Sequence, residues 1–288
     1  ATPNVAGVAM MTAVAFFDVW FVGRLGNQAL ASLALVFPFQ ALMQMMAGGA
    51  IGGGITSAIA RAKGSKNSRS AQIIAFNGLL IGVFISLFYT VILGFFPYEV
   101  FGSLSDSKEV IDGAIKYAEI GFGGAILTWL FFVLSSIIRG FGDTYAPAKA
   151  IIIAGFFQII LSGLFTSGLG NILDLGVAGP AAAMITCHAL AALFLIRKII
   201  VSNSILSFHN CFIDWNSIFN ILRVGGLGLI NSITIALNVV IITGFVSEFG
   251  VDALAGYGLG SRLELMLVPI AFGIGAALTA AVGTNIGA

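Results

Sequence analysis

Charge is what this sequence has least of. Of 288 residues, 9% are Asp, Glu, Lys or Arg, against about 25% in soluble domains, which excludes an ordinary water-facing globular surface. The 13 Lys and Arg nearly cancel the 12 Asp and Glu, leaving no basic cluster large enough for a nucleic-acid footprint. No nucleic-acid partner is expected. Two cysteines, Cys187 in an apolar run and Cys211 in a linker, form neither a disulfide framework nor metal-ligand spacing, so neither a metal nor a cofactor is expected. Catalytic constellations are missing as well. There is no His-Glu-x-x-His and no visible pairing of nucleophile with base, which argues against a membrane-embedded enzyme. A cleaved leader is not expected, because the first apolar run leads into further runs rather than to a cleavage site and a polar chain. Ala1 therefore reads as a cut within a longer protein.

What is there is hydrophobic: 59% of the residues, in long runs. A spanning helix needs about 20 mostly apolar residues, and that ruler marks runs near 3 to 25, 29 to 60, 71 to 96, 114 to 138, 148 to 170, 176 to 200, 218 to 247 and 253 to 286. The reading is an all-α, polytopic membrane protein with eight helices in this chain. Gly48, Gly49, Gly52, Gly53 and Gly54 make the second run a place for bending. Those glycines and Gly256, Gly258 and Gly260 read as close helix packing. No P-loop Lys-Ser/Thr follows them, so they are not phosphate cradles.

The linkers alternate in charge. Arg61, Lys63, Lys66 and Arg69 follow the second run, Arg139 and Lys149 flank the turn after the fourth, and Arg197, Lys198 and Arg223 flank the linker after the sixth. Glu99, Asp106, Glu109, Asp112 and Glu119, then Asp174, then Glu248 and Asp252 occupy the other set. The positive-inside rule places the basic set, and with it the N-terminus, in the cytoplasm.

The chain also repeats itself. A shift of 224 (245 − 21) pairs FVGRLGNQALA at Phe21 to Ala31 with FVSEFGVDALA at Phe245 to Ala255, with six of eleven positions identical. Runs one and two thus recur as runs seven and eight. Six helices, an even number, separate the copies, so both enter the membrane in the same direction, a parallel repeat. The expected organisation is a first lobe of six helices over 1 to 200, a cytoplasmic linker over 201 to 217, and the first two helices of a second lobe over 218 to 288.

Asp18-Val-Trp-Phe-Val-Gly23-Arg-Leu-Gly26-Asn-Gln-Ala29-Leu30-Ala31 resembles the first-helix signature of multidrug and toxic compound extrusion (MATE) transporters of the bacterial, DinF-like type. Arg139-Gly140-Phe-Gly142-Asp143-Thr144-Tyr-Ala-Pro147 resembles their turn between helices four and five, and Arg262-Leu-Glu264 running to Gly283-Thr-Asn285-Ile-Gly287-Ala288 looks like their eighth helix. The resemblance implies twelve helices in two lobes of the MATE fold, with helices nine to twelve absent here. It implies a central cavity and export of organic cations and other drugs in exchange for H+ or Na+, from a monomer in the bacterial inner membrane. The rival of the same fold group is a flippase for lipid-linked precursors, which would line its cavity with cationic residues; the runs here offer little beyond Arg262. A chain of eight helices could also be inactive without the rest.

Asp18 is the most informative residue. A carboxylate at the centre of a spanning helix costs about 2.5 to 3.5 kcal/mol, and Asp18 lies seven residues before Leu25, about 10 Å below the end of the helix at 1.5 Å per residue. A desolvated carboxyl can take up and release a proton near neutral pH; in the family this position belongs to the cation site. The family's Asn-x-x-x-Asp of helix five falls here on Gln158 and Ser162, and its helix-six threonine on Met184, which favours a proton over sodium. Glu264 matches a second-lobe acidic position that can meet cation or substrate, or be neutralised by Arg262. His188 can relay protons or simply be satisfied by a neighbour. Asn77, Asn231 and Asn238 line the cavity or join helices. Arg139, Gly140, Gly142, Asp143, Thr144 and Pro147 read as a structural hinge, with Asp143 capping the next helix and Pro147 opening it.

Overall fold

Long runs of Leu, Ile, Val, Phe and Ala hide no polar backbone groups unless each N–H and C=O is paired within its own segment, and the helix does this. The computed structural model describes residues 2–168, 174–201, 211–265, 275, 278–279 and 281–286, with side chains at 2–5, 8 and 262–265 outside that description. Among the described residues it is helical without strands. The helices are α1 (Thr2–Gly23), α2 (Asn27–Gln44), α3 (Ile51–Gly64), α4 (Ser68–Tyr89), α5 (Pro97–Phe101), α6 (Lys108–Gly121), α7 (Ala125–Gly140), α8 (Tyr145–Ser167), α9 (Gly179–Val201), α10 (Trp215–Ser247) and α11 (Val251–Leu265). A π-helical turn at Met45–Ala50 joins α2 to α3, and a second at Thr90–Phe95 extends α4.

Five helices among the described residues are long and apolar enough to cross a membrane: Asn27–Gly64, Ser68–Phe95, Tyr145–Ser167, Gly176–Val201 and Trp215–Ser247. The run at 114 to 138 is not the straight span its composition suggests, because α6 and α7 meet there at 51°. The break falls at Phe122 to Gly124, where a Cβ on Gly123 would lie 2.1 Å from the Glu119 carbonyl; only glycine lets the chain fold back so tightly. The first span is described as a shorter apolar helix, Ala9–Gly23, and α11 gives the start of the eighth.

The polarity of the layers is that of a protein in lipid. Trp129, Tyr117, Phe101 and Phe122 are fully buried between helices, while Phe84, Phe88 and Phe95 on α4 and its extension, and Phe16 and Trp20 on α1, stand exposed. Outward aromatics of this size are stable where hydrocarbon or headgroups cover them.

The repeat is visible in the backbone. Gly26 and Gly250, one shift of 224 apart, end their helices with φ of 111° and 97°, a conformation open to glycine and strained for other residues. Both turns carry the same pair of bonds, Gly26 N to Gly23 O and Leu30 N to Gly26 O, then Gly250 N to Ser247 O and Leu254 N to Gly250 O. α10 packs on α3 and α11 on α2, so the second copy lies against the second helix of the first.

Linkers of like charge pattern meet one another. Lys63 Nζ donates to the Phe141 carbonyl and Lys198 pairs with Asp143 at 3.5 Å, tying three basic-set linkers together at one end. At the other, Asn27 Nδ2 donates to Asp252 Oδ1 at 2.6 Å across the two copies.

Candidate functional site around Asp18

Asp18 is brought into the bundle by a close approach of α1 and α8. A Cβ on Gly155 would lie 2.4 Å from Met10 Cγ, and one on Gly163 would lie 2.6 Å from the Phe21 ring. These small residues, two turns apart, let the helices touch along one seam. Between them Ser162 Oγ donates to Asp18 Oδ1 at 2.6 Å, a buried contact. Asp18 is 6% exposed. Gln158, one turn before Ser162 on the same face of α8, is also 6% exposed and makes no hydrogen bond among the described residues. The resemblance pointed to Asp18, Gln158, Ser162 and Met184, and α1, α8 and α9 pack side by side to carry them.

His188 stands apart from this group. His188 turns to α7. There its Nδ1 lies 3.0 Å from Thr128 Oγ1, and its ring stacks on Phe131 at 5.0 Å and meets Phe132 edge-on. The partner is the Thr128 hydroxyl, and the ring is packed as part of the core.

Asn77 joins helices rather than lining a gap. It is fully buried; its Nδ2 donates to Ile73 O at 2.8 Å and Phe212 O at 3.1 Å, and its Oδ1 accepts from Asp214 N at 3.0 Å. Asp214 in turn caps α10, accepting from Ser217 N and Asn216 N. Its carboxyl is held below its ordinary value chiefly by the Ser217 hydroxyl, with burial opposing and the two amides helping. Asn231 and Asn238 sit exposed on α10. The Glu264 and Arg262 side chains lie outside the described residues.

The turn at Arg139 to Pro147 is a pinned corner. Arg139 donates to Ser136 Oγ at 3.1 Å, Gly142 has φ 94°, and Asp143 Oδ1 accepts from Tyr145 N and Ala146 N, both at 3.0 Å. Asp143 thus caps α8 as its position suggests, with Pro147 in the first turn, where its missing N–H costs nothing.

Sequence reasoning passed over Gln40 and Gln44. Both amides donate to Met184 Sδ, at 3.4 and 3.7 Å. Two glutamines one turn apart in an apolar span were the available signal.

A bundle of membrane-spanning helices with an internal repeat and a carboxyl group buried on its first helix defines a class, the polytopic membrane proteins built from repeated units. The MatE family model matches residues 3–164 and 216–288, and the chain belongs to that family, whose members are transporters rather than enzymes. It is 24% identical over 292 residues to an FAD transporter of Shewanella oneidensis, covering 99% of this chain and 64% of that protein. It is 26% identical over 273 residues to a probable multidrug resistance protein of Bacillus subtilis, covering 93% and 59%. Among solved structures, a MATE protein in complex with MaL6 superposes with a TM-score of 0.86 at 24% identity, covering 99% of this chain and 63% of that one. A MOP superfamily transporter from Pyrococcus furiosus gives 0.83 at 23%, covering 98% and 63%. The chain therefore spans about three fifths of the proteins it matches.

Proposed function

We propose that the whole protein is a secondary active exporter of organic cations and other xenobiotics, working by alternating access and driven by H+ exchange at Asp18, with the basic linkers and the N-terminus in the cytoplasm. The observation that carries this is the buried Asp18 carboxylate held at 2.6 Å by Ser162 between α1 and α8. A proton needs only that carboxylate. A sodium ion is favoured by a second carboxylate and further oxygens, and at the family's cation positions this chain has the neutral Gln158 and Ser162, with Met184 in place of a threonine. Protonation of a buried acid changes its need for a donor, and so can change how α1 sits on α8. The membrane potential contributes about 2.3 kcal/mol per charge per 100 mV.

A second substrate reading has its own support, since the relative matching 99% of this chain is named an FAD transporter while others are named for multidrug resistance or export. The coupling test applies to either. Vesicles containing the full-length protein, loaded with a cationic dye, are compared for wild type and Asp18→Asn under an imposed pH gradient. Export is expected to fall to background in the variant while dye binding persists. Unchanged gradient-driven export would remove Asp18 from the mechanism.

A further inference from the structure

The corner between α7 and α8 gathers more positive charge than its carboxylate can neutralise. Lys63 Nζ reaches the Phe141 carbonyl, Lys198 pairs with Asp143 at 3.5 Å, Arg197 stands next to Lys198 near the end of α9, and Lys149 lies one turn past Tyr145 in α8. Asp143 is already engaged on both oxygens, with Lys198 through Oδ2 and with the first amides of α8 through Oδ1. Lys149 and Arg197 are exposed and have no carboxylate partner among the described residues. The segments outside that description bring no Asp or Glu except Glu264 of α11, so this chain holds no carboxylate for them within the first lobe.

Each of these cations stands at the head of an apolar stripe. Ile153, Phe156 and Ile160 follow Lys149 by four, seven and eleven residues, and Leu193 and Leu190 precede Arg197 by four and seven, spacings that keep each set on one helix face. All five are exposed. The Asp143 to Lys198 contact joins the start of α8 to the end of α9, so the two helices run antiparallel and their stripes descend together from the basic end. The second lobe joins another flank: α10 and α11 pack on α2, α3 and α4, whereas α8 and α9 pack on each other and on α1, α6 and α7.

We propose that Lys149 and Arg197 seat the headgroup of an anionic glycerophospholipid, whose acyl chains lie along the outward stripes of α8 and α9. Basic side chains at the end of a spanning helix rest their stems on apolar surface and lift the charge to headgroup level, where the exposed Tyr145 also stands. A phosphodiester offers a negative charge and acceptor oxygens to an ammonium and a guanidinium. A zwitterionic headgroup brings a cation of its own, which the same two residues repel. A phosphate without acyl chains gains nothing from the stripes.

The test titrates the full-length protein, in a neutral detergent, with phosphatidylglycerol and with phosphatidylcholine of the same chains, counting bound lipid by native mass spectrometry. Wild type is expected to bind phosphatidylglycerol more tightly. A cation at the headgroup level is worth about fivefold, so Lys149→Gln/Arg197→Gln is expected to raise the phosphatidylglycerol Kd about tenfold to thirtyfold, with phosphatidylcholine held within about twofold. Lys149→Arg/Arg197→Lys keeps both charges and is expected to keep the preference. Lys66→Gln/Arg69→Gln, which removes two charges from the neighbouring basic linker, is expected to leave the phosphatidylglycerol Kd within about twofold. If the first double variant does not fold, Lys149→Gln alone is expected to cost about fivefold. An unchanged Kd in the first variant, an equal loss in the linker variant, no preference for the anionic lipid by wild type, or glycerol phosphate binding as tightly as the lipid would each overturn the seat. Export plays no part in this readout, so the proposal stands or falls apart from the role of Asp18.

Discussion

Replacing Asn77 by leucine is expected to open the joint between the segment just before α10 and α4. The two side chains are close in volume, so the change removes bonds rather than packing. Ile73 O keeps its own helical partner, and its loss counts for little. Phe212 O and Asp214 N, bonded to Asn77 at 3.1 and 3.0 Å, lose theirs. At about 1 to 3 kcal/mol for each stranded group, and toward the lower end because the linker borders water, the joint weakens by about 2 to 4 kcal/mol. That corresponds to about a thirtyfold to thousandfold rise in local opening at 1.4 kcal/mol per tenfold. Hydrogen exchange on the full-length protein reads this directly, since the Asp214 amide is itself one of the bonded groups. Exchange should accelerate across 212 to 218 and stay unchanged in α9. Asn77→Asp, which keeps the oxygen that accepts from Asp214 N, should retain protection at that amide. Equal protection of Asp214 in wild type and Asn77→Leu would refute the reasoning.

Two further outcomes follow from the contacts of α10. A Cβ on Gly54 would lie 2.5 Å from Ile221 O and 3.1 Å from Gly225 N, backbone atoms that cannot swing aside, so Gly54→Ala should destabilise the full-length protein by about 1 to 3 kcal/mol in thermal melts. Gly53→Ala, with nothing within 4 Å, should be neutral or stabilising by up to about 1 kcal/mol. The Asp214 cap is pH-dependent in a defined direction. Its carboxyl lies below the ordinary value of 3.8, so its contribution is complete above that value and is lost as pH falls through the folded one. Asp214→Ala should cost about 1 kcal/mol at neutral pH, and the difference from wild type in α10 exchange should vanish in acid.

Much of this molecule was legible as composition and spacing. The bilayer sets a minimum apolar length, so spans announce themselves, and one short turn recurring 224 residues on carried the repeat to the positive-φ glycines Gly26 and Gly250. Asp18 stood out because a lone acid in an apolar run has few explanations. What could not be read was pairing. Asn77 left two roles open until its amide proved to hold residues 212 and 214, more than a hundred positions away. His188 had the same ambiguity until Thr128 and two phenylalanine rings were found around it.

The bend between α6 and α7 shows the limit of hydropathy from another side. An apolar run fixes how much chain sits in lipid and says little about its direction, which is decided by where a glycine leaves room for a carbonyl that a side chain would strike. The chain's residues thus dictated a helical membrane protein, because burial of backbone is a local cost paid residue by residue. Which polar side chains meet, Ser162 with Asp18 or two glutamines with Met184, came from packing alone. Such contacts depend on how closely helices distant in sequence approach, and that distance belongs to pairs of helices rather than to either one.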